Sequence, residues 1–104
     1  MNRDQKFGKL LAIANVISGR VFEGGKPTIA QKHMARFSKK PAYSFERIHA
    51  EIMEYAPKFQ AREMELLNKF QEILADMDES EFNNQELSPQ YLHAYYSEQK
   101  ALSN

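Results

Sequence analysis

The sequence predicts an all-α fold, a compact bundle of about five helices, on three observations. Apolar residues recur at spacings of three and four along the long stretches, the period of an amphipathic helix. No stretch alternates with a period of two for long enough to make a strand. Each of the four prolines falls at a joint between periodic stretches, where the loss of its N–H and its fixed φ do no harm.

The first predicted helix runs from Lys6 to Phe22, with Phe7, Leu10, Leu11, Ala14, Ile17 and Val21 on one face. Gly24-Gly25-Lys26-Pro27 ends it, because glycine accepts positive φ at a helix exit and proline restricts the residue before it. Thr28 with Gln31 three residues later suits a capping box that opens a second helix, whose inward positions are Ala30, Met34 and Phe37. Pro41 or Ser44 begins a third, with Phe45, Ile48, Ile52 and Tyr55 inward and Pro57 closing it. The fourth spans about Gln60 to Met77 on a stripe of Met64, Leu67, Phe70 or Gln71, Leu74 and Met77. After a polar connection, Ser88 as N-cap and Pro89 at the first helical position open a fifth that carries Tyr91, Leu92, Tyr95, Tyr96 and Leu102.

The 104 residues suffice for one domain, 1–104, of radius of gyration about 13 Å. The absence of cysteine excludes disulfides, thiolate chemistry and cysteine zinc sites, and a reducing cytoplasm is the expected compartment. The longest apolar run is only a few residues and Met1-Asn2-Arg3-Asp4 does not read as a signal peptide, so no membrane association is expected.

Charge is unevenly spread. Residues 1–50 carry ten Lys or Arg against three acids, and residues 51–104 carry four against eleven, so a net charge of zero hides about +7 against −7. Lys32, Arg36 and Lys39 recur at i, i+4 and i+7 along the second helix, with His33, Lys40 and Arg47 close by in sequence. Such a stripe suits backbone phosphates, and an ordinary solvated face accounts for it equally well. Tyr91, Tyr95 and Tyr96 suit base stacking, although aromatic residues at helical spacing more often pack.

Other motifs lead nowhere. Glu46 and His49 make a Glu-x-x-His pair, but a di-iron bundle needs a second pair and two further glutamates. His49-Ala50-Glu51 matches the start of a zinc-deaminase signature whose cysteine half is missing. Gly24-Gly25-Lys26 lacks the frame of a phosphate loop and reads as a turn. Nothing pairs a nucleophile with a base, so no enzyme activity, metal or other cofactor is expected.

Three segments in order, Asn2-Arg3-Asp4 leading into Phe7-Gly8-Lys9-Leu10-Leu11-Ala12, then Pro41-Ala42-Tyr43-Ser44-Phe45-Glu46-Arg47-Ile48, then Tyr91-Leu92-His93-Ala94-Tyr95-Tyr96-Ser97-Glu98-Gln99, are similar to one family. The chain resembles the C-terminal domain of the type I-C CRISPR large subunit, the Csd1 family. That domain is also made alone, from an internal start, as the small subunit of the type I-C Cascade complex. The resemblance spans nearly the whole chain, and Met1 before Asn2-Arg3 fits an internal start; Ala94 stands where glycine is expected before the Tyr-Tyr pair.

The resemblance implies a helical bundle present in more than one copy beside the backbone and large subunits of a crRNA-guided complex. There it implies a role in holding the R-loop through basic contacts to target DNA that do not read sequence. It implies no chemistry, cleavage belonging to a separate helicase-nuclease. It carries Lys9, Arg47 and Tyr95-Tyr96 as family-like positions, whereas contact by Lys32, Arg36, Lys39 and Lys40 follows from charge. The alternative is a helical interaction module, an adaptor or inhibitor that docks on a basic partner through the acidic half and binds no nucleic acid.

Overall fold

The first helix begins before its apolar stripe does. In the computed structural model, which describes residues 1–103, α1 runs over Arg3–Phe22 behind a capping box in which Asn2 Oδ1 accepts from Gln5 N and Gln5 Oε1 accepts from Asn2 N, each at 2.9 Å. Asn-x-x-Gln was readable in the sequence and moves the start three residues ahead of Lys6. The helix ends at Glu23, whose φ of 52° and that of Gly24 at 79° turn the chain out of it. The Gly24-Gly25-Lys26 segment is thus the expected turn.

The remaining helices are α2 (Ile29–Phe37), α3 (Pro41–Tyr55), α4 (Ala61–Ala75) and α5 (Gln90–Leu102), with single turns of 3-10 helix at Ala56–Lys58 and Glu79–Glu81 and no strand among the described residues. The sequence expectation of an all-α bundle of about five helices holds. Pro41 occupies the first turn of α3, where its missing N–H is harmless. α5 starts at Gln90 behind Pro89, and Ser88 makes no side-chain cap.

α1 packs against every other helix, most extensively against α5. It is therefore buried on all sides: Phe7, Gly8, Leu10, Leu11, Ala12, Ile13, Ala14 and Ile17 are all inside, well beyond the single expected stripe. Around its first half lies an aromatic cluster. Phe7 meets Phe37 and Phe82 edge-on with centroids at 5.9 and 5.8 Å, and Phe45 stacks on Phe70 at 5.9 Å. Where α1 crosses α5, a Cβ on Gly8 would lie 2.2 Å from the Tyr91 carbonyl oxygen and 3.1 Å from Ala94 Cβ. Gly8 is what lets the two backbones touch. The methyl of Ala94 is accommodated beside it, so the departure from glycine there leaves the crossing intact.

α4 corrects one expectation. Its buried face is Glu63, Leu66, Leu67 and Phe70, while Met64 points outward at 44% exposed. A carboxylate has taken the inward place beside the first turn because Arg20 of α1 supplies a guanidinium for it, Nε to Oε2 at 2.8 Å. On α5, Tyr91 and Tyr95 are packed and Tyr96 is exposed.

α2 is fastened by α1 side chains. Ser18 Oγ accepts from Ile29 N at 3.0 Å and Asn15 Oδ1 from Ala30 N at 2.9 Å, which satisfies amide groups that a helix start leaves open. Thr28 and Gln31 complete the expected capping box. The fold has a radius of gyration of 12.6 Å, and among the described residues no helix is long and apolar enough to cross a membrane.

Candidate nucleic-acid interface

Two neighbouring helices, α2 and α3, carry the basic residues together with the bend between them. α2 buries Ile29, Ala30 and Phe37 and so turns Lys32, Arg36 and Lys39 outward; α3 buries Phe45, Ile48 and Ile52 and turns Glu46 and Arg47 outward. Lys39 and Lys40 sit at the bend between them, where the Lys39 and Lys40 amides donate to the Arg36 carbonyl at 3.1 and 3.0 Å.

The α4–α5 connection steadies this corner from outside. Asn84 Oδ1 accepts from Tyr43 N at 3.0 Å in the first turn of α3, and the Ser38 carbonyl accepts from Leu87 N at 2.7 Å. That connection is held in turn by Arg3, which donates to the carbonyls of Glu81, Asn83 and Gln85. Asp4 adds an acceptor for Ser88 N at 2.8 Å. The opening Asn2-Arg3-Asp4 thus organises a loop eighty residues away that in turn fixes the start of α3.

Between α2 and α3 runs a cleft of about 330 Å³ lined by Lys32, His33, Ala35, Arg36 and Arg47. It adjoins a second hollow of about 440 Å³ lined by His33, Arg47, Ala50, Glu51 and Glu54. Arg47 lies over the exposed Tyr43 ring, 5.8 Å from its centroid, with Nη1 donating to the Tyr43 hydroxyl at 3.4 Å. Among the described residues no carboxylate comes within 4.0 Å of Arg36, Lys39, Lys40 or Arg47. Lys32 differs: its Nζ is 2.6 Å from Glu51 Oε1. Burial lowers the pKa of His33, opposed by Glu51 and reinforced by Lys32, Arg47 and Arg36, so its imidazole is neutral at pH 7.

The structure therefore brings together five of the six expected contact residues and leaves one apart. Lys9 falls two residues after Phe7, about 200° round α1 from the side that faces Phe37 and Phe45. It is remote from the α2–α3 face. Tyr43 and Glu51 are members of this face that the sequence reading did not name. Tyr43 was legible as the i−4 neighbour of Arg47; Glu51, nineteen residues from Lys32, left no local signal.

His49 is a packing residue, its ring stacked against Phe45 at 5.8 Å and Phe70 at 6.2 Å. Among the described residues no three His, Asp or Glu side chains gather as a metal site would require.

The family model described as CRISPR-associated protein (Cas_Csd1) matches residues 1–103. The chain belongs to the Csd1 family of CRISPR-associated proteins. No curated protein and no solved structure matches it.

Proposed function

We propose that this Csd1-family chain is a non-catalytic small subunit of a type I-C Cascade surveillance complex in the cytoplasm. It stabilises crRNA-guided binding of target DNA, the R-loop, through contacts that do not read sequence. The observation that carries the reading is the α2–α3 face, where, among the described residues, Arg36, Lys39, Lys40 and Arg47 have no carboxylate within 4.0 Å. A cation with no carboxylate beside it is available to a phosphate; a cation already held by a buried acid is not.

Magnitude argues for action within an assembly beside backbone and large subunits. Four or five cations give dissociation constants of about 10⁻⁴ to 10⁻⁶ M at physiological salt, too weak to hold an R-loop alone. Several copies on one ribonucleoprotein raise the effective concentration of each contact, and linked weak sites gain roughly 10² to 10⁴ in avidity.

The test is reconstitution of the crRNA complex with this chain, without it, and with Arg36→Glu/Arg47→Glu. We expect assembly in all three cases and tight target binding only in the first. For the isolated chain, losing two phosphate contacts lowers the magnitude of the salt slope by about 1.4 to 1.8. Equal target binding without the chain removes the proposed role and leaves the interaction module, for which α5 offers the exposed Leu92 and Tyr96.

A further inference from the structure

We propose that Glu51 is a built-in competitor of the phosphate on the α2–α3 face: its carboxylate occupies Lys32, and nucleic acid engages the whole face only by displacing it. This rests on the nucleic-acid reading above and concerns how that site is restrained.

Glu51 sits on α3 one turn after Arg47 and lines the larger hollow, which shares His33 and Arg47 with the cleft beside it. Its Oε1 is 2.6 Å from Lys32 Nζ and 3.9 Å from His33 Nε2. The arrangement is poorly satisfied. Glu51 Oε2 is buried with no hydrogen-bond partner in the protein, and so is His33 Nε2 beside it. Buried polar atoms are ordinarily paired, so a carboxylate oxygen held without a donor is a cost of the present arrangement that is relieved when the Glu51 side chain leaves Lys32 for solvent. Neutral His33 gives the carboxylate no full charge, and Tyr55, whose pKa is raised first by burial, then by the charges of Glu51 and Glu54 and by its hydroxyl's approach to Glu51, adds no charge either. Among the described residues Lys32 is the one cation within ion-pair distance of Glu51.

A phosphate diester in the cleft has a different reach. It carries its charge on two oxygens and meets the cleft from outside, where Arg36 and Arg47 present guanidinium forks that Glu51 does not engage. The Lys32–Glu51 pair is partly exposed, and a pair of that kind is worth at most about a fivefold factor in equilibrium. It therefore tunes the face without closing it. An intramolecular acid of this strength weakens stray contacts with isolated phosphates, while several copies acting on one strand overcome it together.

The experiment is a salt titration of the full chain against a random-sequence single-stranded DNA oligonucleotide, comparing wild type, Glu51→Gln, Glu46→Gln and Glu51→Gln/Lys32→Ala. Glu46 is exposed on α3 next to Arg47 and has no ion pair among the described residues, so its substitution removes the same charge from the same helix without freeing a lysine. We expect Glu51→Gln to tighten binding about two- to fivefold at 0.1 M salt and to increase the magnitude of the salt slope by about 0.7, one further phosphate on a single strand. Glu46→Gln gives a smaller gain with no change of slope, and adding Lys32→Ala to Glu51→Gln returns the slope to the wild-type value. A Glu51→Gln protein indistinguishable from wild type, or from Glu46→Gln, overturns this proposal while leaving nucleic-acid binding in place. No binding by wild type or by Glu51→Gln overturns both.

Discussion

The side of the bundle built from α1, α4 and α5 and the edge built from α2 and α3 use the same basic residue types for opposite ends. On the first side three cations are held by buried or half-buried groups of the fold, while Lys9 and Lys100 make no ion pair among the described residues. Lys6 lies among Asp76, Glu81 and the Asp76 carbonyl; Arg20 holds Glu63; Lys69 reaches the buried Glu98 at 2.5 Å. Lys6 and Arg20 join α1 to the second half of the chain, and Lys69 joins α4 to α5. On the α2–α3 edge, Arg36, Lys39, Lys40 and Arg47 tie nothing together. Charge that has no structural task is what remains for a ligand, and the contrast separates the two groups where a count of lysines and arginines cannot.

The sharpest way to test the structural side is at the α1–α5 crossing. Gly8→Ala inserts a methyl 2.2 Å from a backbone carbonyl, which cannot rotate away as a side-chain tip would, so the helices must separate. We expect a loss of about 3 kcal/mol, the upper part of the overpacking range, and a melting temperature lower by roughly 10–20 °C. A change below a few degrees in thermal melting would show that α5 is free to slide, and α1 would lose its standing as the central strut.

Next in size is the Arg20–Glu63 pair. Arg20→Ala strands a carboxylate that is only 6% exposed and keeps one amide donor, Gln60 N at 3.0 Å. About 1–2 kcal/mol should be lost in urea unfolding. The same measurement on Arg36→Ala should stay within about 0.5 kcal/mol of wild type, as expected of a surface cation without a partner. Equal losses at the two positions would erase the distinction between consumed and available cations.

The smallest effect concerns pH. The folded pKa of His33 is depressed by burial, with Lys32, Arg47 and Arg36 in the same sense and Glu51 opposing. Between that value and the ordinary 6.5 the unfolded chain binds the proton more readily, so stability is full above about pH 6.5 and declines as pH falls below it. Glu63 adds a second decline at lower pH. Its pKa is lowered by the Arg20 hydrogen bond and then by the Gln60 amide, so its contribution is present above 4.5 and is lost as pH falls through the folded value. Thermal melting from pH 7.5 to 4 should show both, and His33→Gln should flatten only the upper one. A wild-type profile flat between pH 7 and 5.5 would contradict the depressed histidine.

Much of the fold was legible because helices announce themselves locally. Thr28 and Gln31, Pro41, and the period of Phe45, Ile48 and Ile52 act within a few residues, and the structure realises each of them. The failures share a cause. Met64 is more apolar than Glu63, and nothing nearby in the sequence shows that Arg20, forty-three residues back, awaits a carboxylate. Leu92 and Tyr96 continue the period of α5 yet are exposed, because the rotation that buries Tyr91 and Tyr95 against α1 turns their neighbours outward.

The candidate face divides in the same way. Its pair of Lys32 and Arg36 is a property of sequence, since a helix of 3.6 residues per turn aligns i and i+4, whereas Lys39, expected at i+7, lies beyond the end of α2 at Phe37 and is placed by the bend. Sequence by itself also determined the all-α class and the likeness to the Csd1 family, through periodicity, proline placement and the order of its short motifs. Tertiary structure alone decided that Arg47 of α3 joins Arg36 of α2, that Lys9 faces elsewhere, and that Glu51 claims Lys32. Those outcomes depend on how helices separated by flexible joints are rotated against one another, and that rotation is set by the shared core around α1, to which every segment contributes and which no single segment encodes.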